Sequence, residues 1–287
     1  MIISKLIGGL GNQMFQYAAG RALAIANNCD LKLDISGYKS YKLHNGYELD
    51  LFNIQASIAK NEEVFGLLKV RSRLCRLVGK RLGLKNKSLM IEKSFAFDPE
   101  FFYIKESVYI DGYWQSYKYF ESIRQYLKIE LTPKIPLSGL NLSIAESIGQ
   151  VNAVSLHIRR GDYVNNLAAN KVHGFLGIEY YKKAISYFVE KIPYPYFFVF
   201  SDDISWAKEN LDLSSGVTFI EHNQGENSFE DMRLMSLCKH NIIANSSFSW
   251  WGAWLNDNPN KTVIAPNQWF ASMLVSTDLL PASWLRL

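Results

Sequence analysis

The sequence predicts an α/β protein in two parts, the first opening as a βαβ unit and the second a doubly wound sheet, and three observations carry that prediction. Short apolar runs alternate with amphipathic stretches, most plainly in the second half. A glycine-rich turn, Gly8-Gly9-Leu10-Gly11-Asn12, joins the first apolar run to the first amphipathic one, as at the start of a βαβ unit. Near the middle, Thr132-Pro133-Lys134-Ile135-Pro136 interrupts any regular element and reads as a linker, dividing the chain into residues 1–134 and 135–287.

In the first part, Met1 to Ile7 reads as a strand and the helix after the glycine turn should run from about Gln13 to Asn27. Met14, Tyr17, Ala18 and Ile25 share its apolar face, and Asn27-Asn28 suits a C-cap. Leu31–Ile35 follows as a second strand. Strand, glycine turn and helix N-terminus together favour anions or polar ligands; the same glycines also permit close strand–helix packing. Between Lys69 and Lys93 there are nine basic residues against one acid, with Leu67, Val70, Leu74, Leu77 and Val78 at helical spacing. This basic helix is either a solvated face or a patch for an anionic membrane surface. Val108–Asp111 is a further strand, followed by the aromatic stretch Tyr113-Trp114. Such rings stack on sugars, so Asp111, Tyr113 and Trp114 are acceptor-side candidates, although aromatics also pack domain edges.

The second part has a regular rhythm. Strands are expected at Val154–Ile158, Tyr196–Phe200, Val217–Glu221, Asn241–Ala244 and, last, Thr262–Ala265. The continuous apolar run Tyr196–Phe200 is of the kind buried on both faces of a parallel sheet. Helices are expected around Ile178–Phe188, Ile204–Leu211, Ser228–Cys238 and Ser246–Leu255. Arg159-Arg160, Ser201-Asp202-Asp203 and Asn245-Ser246-Ser247 each fall just past the end of a strand. In an open α/β sheet those ends form the ligand-binding edge. Two arginines, a carboxylate pair and a helix N-terminus on one edge describe a nucleoside-diphosphate site. Each piece has a structural reading too: Asp202 or Asp203 as N-cap of the next helix, Ser246 or Ser247 as cap of theirs, and Ser228 with Asp231 as a capping box.

Composition narrows the class. A net charge of +4 is too small to argue for nucleic acid, and the basic segment lacks interleaved aromatics. Three scattered cysteines form no metal-spaced cluster. No apolar run approaches about 20 residues and the first residues lack the form of a signal peptide, so a cytoplasmic-type protein is expected, at most peripheral to a membrane.

Three separated stretches resemble one family: Gly8–Tyr17, His157-Ile158-Arg159-Arg160-Gly161-Asp162-Tyr163, and Asn245-Ser246-Ser247-Phe248-Ser249-Trp250-Trp251-Gly252. They look like those of bacterial α-1,2-fucosyltransferases, glycosyltransferase family 11, and the likeness runs from Gly8 to about Pro266. It implies a GT-B fold, with two Rossmann-like domains facing a cleft, and GDP-fucose as donor substrate with no metal or other cofactor. It also implies a galactose-terminated glycan acceptor, which can be lipid-linked. By the resemblance Arg159 and Arg160 grip the diphosphate, and Asp202, Asp203 and Asp231 lie near guanosine. Gly9, Gly11, Asn12, His157, Asn245, Ser246, Ser247 and Phe248 complete the donor set.

The related α-1,6-fucosyltransferases place a glutamate, proposed as base, a few residues after the arginine motif; Tyr163-Val164-Asn165-Asn166-Leu167 holds no acid. The base therefore does not carry over. His157 points to the side of Arg159 and is assigned to the phosphates or to positioning. Asp162 is assigned as general base, with Asp111 as the alternative. A β-configured donor giving an α product needs a single in-line displacement, and fixed cations can stabilise the leaving diphosphate where other transferases use Mg²⁺. Asp202-Asp203 are adjacent and poorly spaced for a shared ion. The rival class is a non-catalytic nucleotide-sugar or glycan-binding protein of the same fold.

Overall fold

The computed structural model describes residues 1–40, 44–68, 88–161, 174–213, 216–271 and 277–287. They form two compact units, Met1–Lys134 with Thr277–Leu279, and Ile135–Ser276 with Leu280–Leu287. The late excursion into the first unit is held by Asp278, which accepts the Phe97 N–H at 3.0 Å and pairs with Lys118 at 2.5 Å.

The first unit holds strands β1 (Ile2–Lys5), β2 (Leu31–Asp34), β3 (Ser57–Ile58), β4 (Leu89–Ile91) and β5 (Val108–Asp111). They make one parallel sheet in the order β3-β2-β1-β5-β4. Helix α1 (Leu10–Ala26) packs on it with Met14, Phe15, Tyr17, Ala18 and Leu23 fully buried. It begins three residues earlier than the sequence pattern suggests. Gly9 is its N-cap, and its carbonyl accepts from Asn12 and Gln13, so Gly11 and Asn12 lie in the first helical turn rather than in the loop. Gly8 alone makes the left-handed bend before it, at φ +82°. Asn27 closes the helix as expected. Among the described residues two short helices follow, α2 (Asn61–Leu68) and α3 (Arg124–Glu130).

The second unit holds β6 (Asn152–Ile158), β7 (Pro195–Ser201), β8 (Val217–Ile220), β9 (His240–Ile242), β10 (Val263–Ala265) and β11 (Leu285–Arg286). Its helices are α4 (Gly139–Gln150), α5 (Ile178–Lys191), α6 (Ile204–Asn210), α7 (Phe229–Leu237) and α8 (Ser247–Leu255). All six strands are parallel, in the order β11-β10-β9-β6-β7-β8. Successive residues of β6 and β7 feed opposite faces. Val154, Leu156, Phe197 and Val199 pack with Tyr181, Ile185 and Phe188 of α5. Ala153, Phe198 and Phe200 pack with Ile144 and Ile148 of α4 and Leu234 and Met235 of α7. A run such as Phe197–Phe200 is apolar throughout because both faces are covered.

One expectation needs correction, and one helix was not expected. Thr262–Ala265 is not the last strand, since Leu285–Arg286 adds a two-residue edge beyond it, too short to show a pattern. Helix α4 was not legible either. Gly139, Asn141 and Ser143 are poor helix formers, and only Ile144 and Ile148 are buried.

Candidate active site

The chain runs from β6 to β7 and β8 on one side, then returns to β9 and β10 on the other. The carboxyl ends of β6 and β9 are thus where strand order reverses, the place at which open α/β sheets bind ligands. Arg159 and Arg160 leave β6, Asp202 and Asp203 leave β7, and Asn245 and Ser246 lead from β9 into α8.

Asp202 organises the end of β6. Its carboxylate accepts the backbone N–H of Arg160 at 2.8 Å and of Gly161 at 3.0 Å, and lies 3.2 Å from the Arg159 guanidinium. Arg160 turns elsewhere. Its guanidinium carbon sits 4.0 Å from the centre of the Trp206 ring and 5.9 Å from that of Phe175, and its Nε is 3.6 Å from Asp203. Asp203 is also the N-cap of α6, accepting the Trp206 N–H at 3.2 Å. The adjacent aspartates are therefore divided: one fixes the arginine loop, the other starts the helix that presents Trp206 to Arg160.

His157 is buried on β6, with its ring 5.9 Å from that of Phe248. Burial, and then the Arg159 charge, push its pKa down to about 3. A ring that stays neutral cannot offset phosphate charge, but it can offer a directed hydrogen bond. Its Nδ1 has no partner among the described residues. Ser246 caps α8, its Oγ accepting the Phe248 N–H at 3.3 Å, and Ser247 is the first residue of that helix. The Asn245 amide donates to the Gly174 and Trp269 carbonyls, at 3.3 and 3.2 Å. It braces the loop before α8.

The capping box expected at Ser228 does not form; Ser228 makes no capping side-chain hydrogen bond. Asp231 instead accepts from the Asn223 amide at 2.9 Å. Asn223 exchanges reciprocal 2.8 Å bonds with Asn141, whose Oδ1 also meets His222 Nε2 at 2.8 Å. Burial pushes the Asp231 carboxyl up to about 7, with Glu230 adding to the rise and the Asn223 bond opposing it. This cluster follows β8 on the same edge. Asn141, His222 and Asn223 were not singled out from the sequence, since they belong to no motif; Trp206 was missed for the same reason.

In the first unit, Glu48 closes the glycine turn. Its buried carboxyl accepts from the Leu10 N–H and, at 3.1 Å, from Asn45. Tyr38 and Gln13 donate to the Gly8 carbonyl at 2.8 and 3.2 Å, and Gln115 donates to Asn12 at 2.7 Å. An internal carboxylate on the first N–H of α1 argues against an anion there. The expected acceptor residues divide. Asp111 ends β5 in an ion pair with Lys5 at 2.9 Å. Tyr113 stacks near Phe95. Trp114 corrects the expectation: it is 0% exposed, packed against Phe101 and Tyr119, and cannot stack on a sugar. Asp162 and most of the basic segment, residues 69–87, lie outside the described residues. Among those described, no three His, Cys, Asp or Glu side chains are grouped to hold a metal ion, and no helix is long and apolar enough to cross a membrane.

The family profile for glycosyl transferase family 11 matches residues 90–286. An α-1,2-colitosyltransferase of Escherichia coli is 42% identical over 100% of this chain and 99% of its own length. The chain belongs to glycosyl transferase family 11. A second family relative, the O-antigen biosynthesis glycosyltransferase WbnK of Escherichia coli, is 33% identical over 99% of each chain. The rat galactoside α-(1,2)-fucosyltransferase 1 matches 51% of this chain at 31% identity. Among solved structures, fucosyltransferase NodZ from Bradyrhizobium covers 88% of this chain and 91% of its own, with a TM-score of 0.52 at 13% identity. A mutant Arabidopsis thaliana FUT1 in complex with GDP covers 91% of this chain and 69% of its own, with a TM-score of 0.54 at 12% identity. The family 11 chain is thus a glycosyltransferase of the GT-B type, with two Rossmann-like domains.

Proposed function

We propose that the chain transfers L-fucose from GDP-fucose to the 2-hydroxyl of a terminal galactoside, with inversion and without a metal. One observation carries the reading. Arg159 and Arg160 leave β6 at the strand-order reversal of the second sheet, and the neighbouring strand β9 leads into the N-terminus of α8, an arrangement suited to a diphosphate leaving group. The α-1,2 relatives support the linkage, and the O-antigen biosynthesis relative supports a glycan acceptor. Fixed cations take up the charge that develops on GDP, so turnover persists in EDTA. The neutral His157 positions the phosphates, and Asp231 with Asn223 faces the guanine.

A second donor is favoured by a specific observation, the 42% identity to an α-1,2-colitosyltransferase. Colitose is fucose without its 3-hydroxyl, so both sugars suit one displacement. The deciding experiment offers GDP-fucose and GDP-colitose separately with a panel of galactosides, in EDTA. Released GDP and the linkage found by NMR identify the donor. Release from neither sugar with any acceptor overturns the proposal.

A further inference from the structure

The carboxyl end of β9 is completed by a side chain rather than by the sheet. Strands β9 and β10 run parallel with Ile242 opposite Ile264, and the Ile243 N–H donates to the Ile264 carbonyl at 2.9 Å. A parallel ladder continues at even spacing, so the Ile243 carbonyl should next accept the N–H of residue 266. Residue 266 is a proline and has no N–H. The hydroxyl of Tyr180, in the first turn of α5, supplies the missing donor. It donates to the Ile243 carbonyl at 2.6 Å and lies 3.2 Å from the Ile264 carbonyl oxygen. Burial, and then the neighbouring Tyr181, push the pKa of this phenol well above its ordinary value, so it keeps its proton. Ile243 and Ile264 are themselves buried, where an open carbonyl is costly.

Tyr180 thereby fixes the approach to α8. Ser246 caps that helix, and Ala244, Asn245 and Ser246, which lead to it from Ile243, are all buried. The Asn245 amide donates to the carbonyls of Gly174, just before α5, and of Trp269, just beyond β10. The elements joined by the Tyr180 hydroxyl are thus joined again on the far side of Ile243, in the turn that enters α8. The segment leading into α5 also touches the arginine loop, since the Arg160 guanidinium carbon is 5.9 Å from the centre of the Phe175 ring. All of these residues belong to the second unit.

We propose that Tyr180 is a positioning residue for the diphosphate, an assignment that rests on the function proposed above. It touches no substrate. Its hydroxyl holds the end of β9 against β10 and, through Ile243 and Asn245, sets the direction in which the first N–H groups of α8 point. A helix N-terminus acts on charge only within its first turn, so those groups help the leaving GDP only when they face its phosphate oxygens. Without the hydroxyl the Ile243 carbonyl must find another donor, and the turn into α8 moves with it.

Tyr180→Phe keeps the ring and removes only the hydroxyl. In this variant GDP should bind about tenfold more weakly by calorimetry, and kcat/KM should fall by roughly a hundredfold. Guanosine, which carries no phosphate, should bind as it does to the parent. A general loosening of the unit would instead weaken guanosine and GDP alike. Pro266→Ala returns an N–H to the ladder. Alone it should leave turnover within about threefold of the parent; combined with Tyr180→Phe it should restore most of the lost GDP affinity and turnover. GDP affinity in Tyr180→Phe within twofold of the parent overturns the assignment. So does an equal loss for guanosine, or a double variant no better than Tyr180→Phe. A parent that binds GDP but releases it from neither donor refutes the proposed function itself, and the GDP affinities then decide on Tyr180.

Discussion

A methyl group on Gly161 would stand 3.0 Å from the Oδ2 of Asp202. That closeness lets one carboxylate accept two successive backbone N–H groups, of Arg160 and Gly161, while pairing with Arg159. The loop after β6 is thus shaped from β7, and the guanidinium of Arg159 is held there by the same carboxylate. Asp202→Ala removes all three contacts. Because misplacing a binding group by about an ångström can cost a hundredfold in rate, kcat/KM should fall by about that factor. The melting temperature should change little, since the lost bonds lie at the rim. Steady-state kinetics beside a thermal melt checks both. A kcat/KM within threefold of the parent would remove Asp202 from the machinery.

Trp206 is the other brace, under Arg160 at 4.0 Å. A cation–π contact of this kind contributes about 0.5–2 kcal/mol. Trp206→Leu keeps bulk and loses the ring face. GDP should then bind roughly twofold to thirtyfold more weakly by calorimetry. An unchanged Kd would mean that Arg160 finds its position without the tryptophan.

Much of this edge was legible in the sequence because it is local. A strand followed by Arg159-Arg160, or by Asp202-Asp203, announces itself within ten residues, and parallel topology brings the ends together. What stayed hidden is held by distant partners. Glu48 meets Leu10, and Asn223 meets Asn141, only after folding, and no spacing rule connects them. Trp114 is ambiguous in the sequence for a related reason. An aromatic at a strand end looks the same whether it lines a surface or, as here, packs beneath Phe101 and Tyr119. The first turn of α1 was lost because two glycines disguise it; the Gly9 carbonyl and the Glu48 carboxyl supply its hydrogen bonds instead.

Stability of the first unit rests partly on Glu130 at the end of α3. Its carboxylate accepts Arg21 Nε at 3.0 Å and a terminal guanidinium nitrogen at 2.8 Å, while the buried Tyr17 hydroxyl donates to it at 2.5 Å. Burial, then this bond, pushes the Tyr17 phenol far up, so it remains a donor at any working pH. Glu130→Ala leaves a partly buried guanidinium and a buried phenol without their acceptor. Breaking such a pair costs about 3 kcal/mol. For a unit of this size that is a drop of roughly 10 °C in its melting transition, read by circular dichroism. Glu130→Gln, which still offers an acceptor, should lose less. Equal melting of Glu130→Ala and the parent would show the network to be incidental.

Asp231 links stability to pH and, on the proposed guanine contact, to nucleotide affinity as well. Burial pushes its carboxyl up to about 7 in the folded protein, from about 4 for an ordinary aspartate. Between those values the native state holds a proton that the unfolded chain has released. Stability from this group is therefore fully present below about pH 4 and is lost as pH rises through 7. Asp231→Asn imitates the protonated form, still accepts from Asn223, and should flatten the parent's fall in melting temperature between pH 5 and 8. With guanine N1–H as its partner the ionised form is the one that binds. Parent GDP affinity should consequently tighten about tenfold from pH 6 to pH 8, opposite in direction to the stability change. In Asp231→Asn the affinity should be weak and flat across the same range. Calorimetric titrations at the two pH values decide the matter: a parent Kd that does not move would place Asp231 away from the base, leaving it a member of the Asn223–Asn141 network alone.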